Sequence, residues 1–381
     1  MRTANALYIH TPWCEKKCPY CDFNSYAVSG KIDSASYIGD LCHDFKSEIA
    51  GGAIPILDTI FIGGGTPSLF PKEDISRLLH SILEVAEGSP AIEVTLEANP
   101  ASAKAGEFEG YRRAGVNRIS LGVQSFNDVS LGLIGRTHTA NVARCSVSNL
   151  KNAGFRNFNI DLMFGLPGQD GRGALSDLEE AIKLGPSHIS WYQLTIEPGT
   201  AFAKNTPLLP NADEIDSWHQ KGIELLEQEG FERYEVSAFA RKGYRCEHNL
   251  KYWRFEDYFG IGAGAHSKIS REGKTYRRER FKNPIRYRKE IAEGRDGFTE
   301  YLVNTDDVVT EFFLNVSRLK EGFRLRDFQI LTDLDVDYEL FSRGIRTAVE
   351  NGWLKVDSDH VTPTDLGFRF LEDVQLLFVR G

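Results

Sequence analysis

Seven short runs of apolar, β-branched and aromatic residues recur through the first two thirds of this 381-residue chain, and segments of helical period lie between them. That repeat limits the fold more than any other feature. The runs are Leu7-Tyr8-Ile9-His10, Thr59 to Ile62, Glu93 to Leu96, Ile119 to Val123, Phe158 to Met163, His188 to Leu194 and Tyr234 to Phe239, and their residue types are those of strands. Tyr37, Leu41, Phe45 and Ile49 recur every four residues after Ser34 and Ser36, which predicts a helix closed by Gly51-Gly52. Strands alternating with helices at roughly 30 residues per unit give a parallel sheet. The expected fold is therefore α/β, a partial (β/α)6-type TIM barrel over residues 1–240, with ligands at the rim where strands pass into loops.

A chain longer than about 250–300 residues usually divides into domains, and the pattern does change near Val303. Asp337 to Asn351 has an apolar period ended by Gly352, Trp353 to Val356 and His360-Val361 flank an Asp357-Ser358-Asp359 turn, and Thr362-Pro363 caps a last helix bearing Leu366, Phe370, Val374 and Leu377. This order predicts a small winged-helix-like α+β domain over 303–381, joined to the barrel by residues 241–302. Nine basic and fifteen acidic side chains give 303–381 a net charge of -6, and the whole chain carries -9, so nucleic acid is not an expected partner. Lys268 to Lys289 breaks the acidic trend with ten basic residues against Glu272 and Glu279, and reads as a solvated connector. No apolar run approaches the ~18 residues of a spanning helix, and Met1-Arg2-Thr3-Ala4-Asn5-Ala6 has no apolar signal block, so a cytoplasmic protein is expected.

Six cysteines are too few for a disulfide scaffold, and three of them form Cys14-x3-Cys18-x2-Cys21 on a loop directly after the first strand. Three thiolates on one short loop suit an iron-sulfur cluster with one iron left free, or zinc completed by His10 as a Cys3His set. Cys42 and Cys145 lie in helical stretches and read as small core residues, while Cys246 precedes His248 by two positions. Gly63-Gly64-Gly65-Thr66-Pro67 follows a strand, where glycines let a ligand approach the backbone. Glu97, Gln124 and Asp161 lie at or near strand ends on the same rim, and their groups suit hydroxyls and amines, whereas Arg136 suits a carboxylate. Gly260-Ile261-Gly262-Ala263-Gly264-Ala265 satisfies a loose dinucleotide pattern, but no amphipathic helix follows it, so it reads as close packing.

The run from Leu7 through Cys14-Glu15-Lys16-Lys17-Cys18-Pro19-Tyr20-Cys21 resembles the cluster loop of the radical S-adenosylmethionine enzymes. Within that superfamily the likeness is to the family of oxygen-independent coproporphyrinogen III oxidase and its haem chaperone relatives, and it extends over nearly the whole chain. The resemblance implies a [4Fe-4S] cluster on Cys14, Cys18 and Cys21. It implies S-adenosylmethionine held by Gly64, Gly65, Thr66, Glu97, Gln124, Arg136 and Asp161, with Tyr8 and Tyr20 flanking it. His248-Asn249-Leu250-Lys251-Tyr252-Trp253 matches the H-N-x-x-Y-W signature of the chaperone branch, which implies haem binding at His248 with Asn249 and Tyr252 in support. The oxidase branch carries a further cysteine two positions after the third ligand and a longer segment before the first strand. Phe23 occupies that position here and the first strand begins at Leu7, so the resemblance points to the chaperone branch, without coproporphyrinogen oxidase activity. It then implies haem or another porphyrin as ligand, acceptor haem proteins such as respiratory enzymes as partners, and membrane association only peripherally, through them.

Overall fold

A computed structural model describes residues 4–28, 30–50, 52, 54–102 and 104–380. The start at Met1-Arg2-Thr3 and the expected helix stop at Gly51 lie outside the described residues. Six parallel strands follow one another in space as in sequence: β1 (Ala6–Thr11), β2 (Ile56–Gly64), β3 (Glu87–Ala98), β4 (Arg118–Gln124), β5 (Asn157–Phe164) and β6 (His188–Gln193). Helices Ser34–Glu48, Lys72–Leu83, Ala105–Arg113, Ala140–Asn152 and Gly171–Leu184 connect them, as a parallel arrangement requires. The first helix is capped by Asp33, whose side chain accepts from the Ser36 N–H, and it ends at Glu48.

The two faces of the sheet differ in chemistry. Ile60, Ile62, Val94, Leu96, Ile119, Leu121, Ile160, Leu162, Ile189 and Trp191 belong to the apolar core shared with the helices. Burying each such side chain contributes about 1.5–3 kcal/mol. The alternate residues turn to the concave face, and most are polar: Thr59, Glu93, Thr95, Glu97, Arg118, Ser120, Asn159, Asp161 and His188. The registers set Glu97 beside Ser120 and Gly122 beside Asp161, so three strands bring polar groups to one level of this face.

The seventh expected strand is not a further parallel unit. Tyr234 to Phe239 folds back on itself, because the Glu235 carboxylate accepts from Ser237 N at 3.0 Å and Oγ at 3.1 Å, closing a tight turn. Glu232–Arg233 and Ala238–Ala240 thus form an antiparallel ladder that ends one edge of the sheet, and at the other edge Phe259–Ile261 joins β1 in parallel. This last strand turns sharply back: Gly262 has φ +95°, and a Cβ there would sit 2.4 Å from the His10 carbonyl oxygen.

The C-terminal residues have an apolar cluster of their own, built around Phe312, Phe313, Phe323, Phe328, Phe341 and Phe378. Helices Thr305–Val316, Leu325–Thr332 and Glu339–Glu350 lead to the hairpin Leu354–Asp357/His360–Pro363, with Phe323–Arg324 as third strand, which is the winged-helix order. The last helix departs from expectation in two ways. Its cap is Thr364, whose hydroxyl accepts from Gly367 N, and it is broken at Phe370 into Asp365–Arg369 and Leu371–Leu376.

The basic stretch is not a solvated connector. His266–Arg271 and Lys274–Arg280 pair as strands with Phe298–Leu302, and the charged side chains are largely spent on carboxylates. Lys268, 1% exposed, meets Asp257 at 2.7 Å; Arg277 meets Glu311 at 2.6 Å; Arg278 meets Glu48 at 2.9 Å. Arg280 is wholly buried between Asp44 and Glu48 of the first helix, and Tyr287 donates to Asp44 at 2.7 Å. This cluster locks the small sheet against the start of the barrel. The remaining cysteines also divide: Cys42 is half-buried, Cys145 is exposed rather than part of the core, and Cys246 is buried with its thiol 3.6 Å from Glu93.

Candidate functional site

The cysteine loop leaves β1 at Thr11 and is held in shape by its own backbone. Cys21 N donates to Cys18 O at 3.2 Å, Val28 N to Cys14 O at 2.9 Å, and Phe202 N reaches in to Pro19 O at 2.9 Å. Cys14, Cys18 and Cys21 are half-buried free thiols, and all three line one cavity of about 380 Å³ at the C-terminal ends of the strands. Burial pushes the Cys14 and Cys21 thiols up, so a metal's positive charge is needed to make them thiolates. The zinc arrangement lacks its fourth ligand. His10 uses both ring nitrogens, Nδ1 with the Tyr8 hydroxyl and Nε2 with the Asn24 carbonyl, each at 2.9 Å. Among the described residues no three His, Cys, Asp or Glu side chains gather as ligands of a single ion. Three thiols that line one cavity suit a cluster, in which each sulfur holds a different iron.

Beside the loop, the end of β2 forms a cradle that only glycine permits. Gly64 has φ +105°, and a Cβ on Gly65 would lie 2.4 Å from the Trp13 carbonyl oxygen. Gly65 N and Thr66 N instead donate to Thr11 O and Trp13 O, both at 2.7 Å, which fixes the cysteine loop against the strand end.

The other walls carry opposite charges. Glu97 accepts from Gly64 N at 3.0 Å and lies deep in the fold with part of its surface on the cavity; desolvation, then the nearby Asp161 carboxylate, push it up to about 8. Asp161 is also raised by burial, against hydrogen bonds from Ser120 at 3.0 Å and Asn159 at 2.7 Å. Gln124 sits at φ 72°, where the β4–β5 register shifts, and its amide oxygen accepts from the Tyr192 hydroxyl at 2.7 Å. A non-glycine residue held at positive φ at a strand end is strain of the kind found at binding sites. Arg136 donates to Gly122 O at 2.6 Å and stands 3.7 Å from the Cys18 sulfur, and its buried Nε has no partner. Two carboxylates that form no salt bridge among the described residues and a guanidinium with a spare donor match an amino acid group, one ammonium and one carboxylate.

The structure thus brings Cys14, Cys18, Cys21, Tyr20, Gly64, Gly65, Thr66, Glu97, Gln124, Arg136 and Asp161 to one cavity. Tyr8 does not join them. It faces a second cavity, of about 590 Å³, which shares Gly64 and Glu97 with the first and is also lined by Tyr252, Tyr258 and His266. His248 opens onto neither cavity: it is 1% exposed, its Nδ1 lies 2.8 Å from Thr59 Oγ1 and its Nε2 2.9 Å from the Tyr252 hydroxyl. Phe61 stacks on its ring at 5.1 Å, and burial brings its pKa down to about 3, so it is neutral at all ordinary pH. Its helix, Glu247–Trp253, begins against the sheet because Glu93 accepts from the N–H groups of Glu247 and His248 at 3.2 and 3.1 Å. Asn249 is half-buried and lines neither cavity. Tyr192, Ser120 and Glu93 escaped sequence reasoning, although their alternation with core residues on β6, β4 and β3 was a usable signal.

A profile of the Radical SAM superfamily matches residues 8–183. The heme chaperone HemW of Haemophilus influenzae is 42% identical over 98% of this chain and 97% of its own length, and that of Escherichia coli is 41% identical over 98% of each. Among solved structures, the coproporphyrinogen III oxidase HemN of Escherichia coli, a Radical SAM enzyme, superposes with a TM-score of 0.83 at 22% identity, over 98% of this chain and 89% of that one. That likeness is one of fold.

Proposed function

Because the chain belongs to the HemW family of the radical SAM superfamily, we propose that it is a haem chaperone: it takes up haem and passes it to acceptor haem proteins, respiratory enzymes among them. The observation that carries the radical SAM half of this reading is the meeting of three thiols, two carboxylates without a salt bridge among the described residues and the spare Arg136 donor on one cavity. Cys14, Cys18 and Cys21 hold a [4Fe-4S] cluster, which when bound supplies an open iron and a transferable electron. Gly64, Gly65 and Thr66 leave room for the amino acid part of S-adenosylmethionine, Arg136 pairs with its carboxylate, and Glu97 and Asp161 receive its cationic and hydroxyl groups. Gln124 fixes the cofactor by its amide, and Tyr20 closes the cavity on the cysteine side. Phe23, 55% exposed, offers no thiol for decarboxylation chemistry. The proposed setting is cytoplasmic, with any membrane contact made through acceptors.

Anaerobic reconstitution with iron and sulfide, followed by electron paramagnetic resonance with and without S-adenosylmethionine and a haem titration on the same sample, tests the proposal. The expected results are a cluster signal that changes when the cofactor is added and stoichiometric haem uptake. A colourless protein, or Cys→Ser variants at 14, 18 and 21 that keep the chromophore, would overturn the cluster. Anaerobic turnover of coproporphyrinogen would make the protein an oxidase instead.

A further inference from the structure

Beneath the first cavity a network of buried hydrogen bonds runs down through the barrel, and each of its protons has one possible place. Asp161, as a carboxylate, only accepts, so the group that meets its Oδ1 at 2.7 Å is the Asn159 amide nitrogen. The amide oxygen therefore points the other way, toward His188 Nδ1 at 2.7 Å, and Nδ1 must carry the ring proton. Burial, then the Arg118 guanidinium, hold His188 far below its ordinary pKa, so the ring is neutral and Nε2 accepts, from the Tyr234 hydroxyl at 2.9 Å. That hydroxyl oxygen accepts in turn from the Cys246 backbone N–H at 3.3 Å, a group that can only donate. Acceptor-only at one end and donor-only at the other, the network has a single direction.

A buried polar network can serve packing alone, but this one converges on a cavity wall. Asp161 and Ser120 line the first cavity, whereas Asn159, His188 and Tyr234 are 1–2% exposed and do not. Asn159 gives one N–H to Asp161 and its other to Ser120 Oγ at 2.8 Å, and the Ser120 hydroxyl donates to Asp161 Oδ2 at 3.0 Å. One amide thus sets both carboxylate oxygens. A flipped amide would turn its oxygen on the carboxylate and withdraw both donors. His188 Nδ1–H opposes that flip, with the Ser190 hydroxyl, 3.1 Å from the same amide oxygen, as the second donor.

We propose that His188 is a positioning residue of the S-adenosylmethionine cavity: its Nδ1 proton fixes the Asn159 amide and, through it, holds both Asp161 oxygens oriented to receive the cofactor. This role rests on the reading of Asp161 as a cofactor contact.

Calorimetric titration of the anaerobically reconstituted full-length protein with S-adenosylmethionine tests it, with His188→Leu, His188→Asn, Asp161→Asn and His188→Leu/Asp161→Asn side by side. Both substitutions at 188 lose the Tyr234 bond, but the amide of His188→Asn places a donor where Nδ1 stood, so the pair isolates the bond to Asn159. His188→Leu is expected to weaken binding about five- to tenfold, the worth of roughly one hydrogen bond, and His188→Asn to stay within about twofold of the unsubstituted protein. In the Asp161→Asn background the further loss from His188→Leu should fall below about twofold, because the group it acts through is gone, whereas a merely structural role gives the same factor in both backgrounds. Asn159→Ala removes the link itself and should reproduce the His188→Leu loss; it decides the question if His188→Leu fails to fold or to load iron, and unchanged affinity in it overturns the proposal. If the unsubstituted protein binds no S-adenosylmethionine, or Asp161→Asn binds it equally well, the reading of Asp161 falls and the role of His188 with it. If Asp161→Asn weakens binding while His188→Leu does not, or the two losses multiply, the role of His188 alone is wrong.

Discussion

Replacing Glu97 by Gln removes the carboxylate on which the first cavity's charge balance turns, and its consequence can be worked through in pH. With Glu97 pushed up to about 8, roughly a tenth of ligand-free molecules carry the ionised form at pH 7, and roughly a hundredth at pH 6. A cationic ligand that requires the ionised form therefore binds about tenfold more tightly per pH unit up to about 8, or ~1.4 kcal/mol per unit. Above that pH the wild-type protein should exceed Glu97→Gln by one charge-assisted hydrogen bond, ~1.5–3 kcal/mol, roughly 10- to 150-fold. At pH 6.5 the cost of ionising Glu97 is about 2 kcal/mol, so that advantage should nearly vanish. Anaerobic calorimetry with S-adenosylmethionine, in two buffers of different ionisation enthalpy, measures both affinity and protons released. The ligand's own amine titrates in either protein, so the difference between them isolates the carboxylate. The ligand-free proteins give an independent sign. A raised carboxylate contributes stability fully present below its unfolded value of about 4.5 and lost as pH rises through about 8, so Glu97→Gln should melt higher than wild type at pH 8.5 and equally at pH 4.5. A ratio of affinities that stays constant from pH 6 to 8.5 would refute the reasoning.

Two substitutions test the scaffold around the sites. Gly65→Ala puts a methyl group 2.4 Å from the Trp13 carbonyl oxygen and 2.8 Å from that of Thr11, so the cysteine loop must shift; the expected cost is about 1–3 kcal/mol in urea unfolding together with a lower cluster occupancy, and full iron loading at wild-type stability would contradict it. Arg280→Met leaves Asp44 buried without its cation and Glu48 with Arg278 alone, and should cost ~3–5 kcal/mol in the same assay, whereas a loss below about 1 kcal/mol would mean that the buried charges are not what locks the small sheet to the barrel.

The barrel was legible because its strands advertise themselves on one face only. Ile60, Leu96, Leu121, Ile160 and Ile189 mark the β-branched and aliphatic runs, and each is packed under helices. The polar residues between them, Glu93, Ser120 and Asn159, carry no pattern along the chain that marks them as one shared face. Tyr234 to Phe239 has the same composition as the true strands. What makes it a turn is the bond between Glu235 and Ser237, a contact two residues apart that hydrophobic periodicity does not register. The basic stretch misled for a related reason: its partners Asp44, Glu48 and Glu311 are hundreds of positions away or on other elements, so charge counted along the chain looked unpaired when in space it is neutralised.

Motif spacing served the first cavity well, because each of its groups is held by a feature local to one strand end: a glycine cradle, a bulge at Gln124, a loop of three cysteines. The histidines show where spacing stops being informative. His10, His248 and His266 all stand near aromatic or polar residues in sequence, and nothing local tells which has a lone pair to give. That depends on Asn24, Thr59 and Tyr252 arriving from other elements to occupy the ring nitrogens of the first two, while His266 meets only a carboxylate just beyond hydrogen-bonding reach. In this fold the His248 ring spans Thr59 on β2 and Tyr252 on its own helix, two partners that no spacing along the chain brings together.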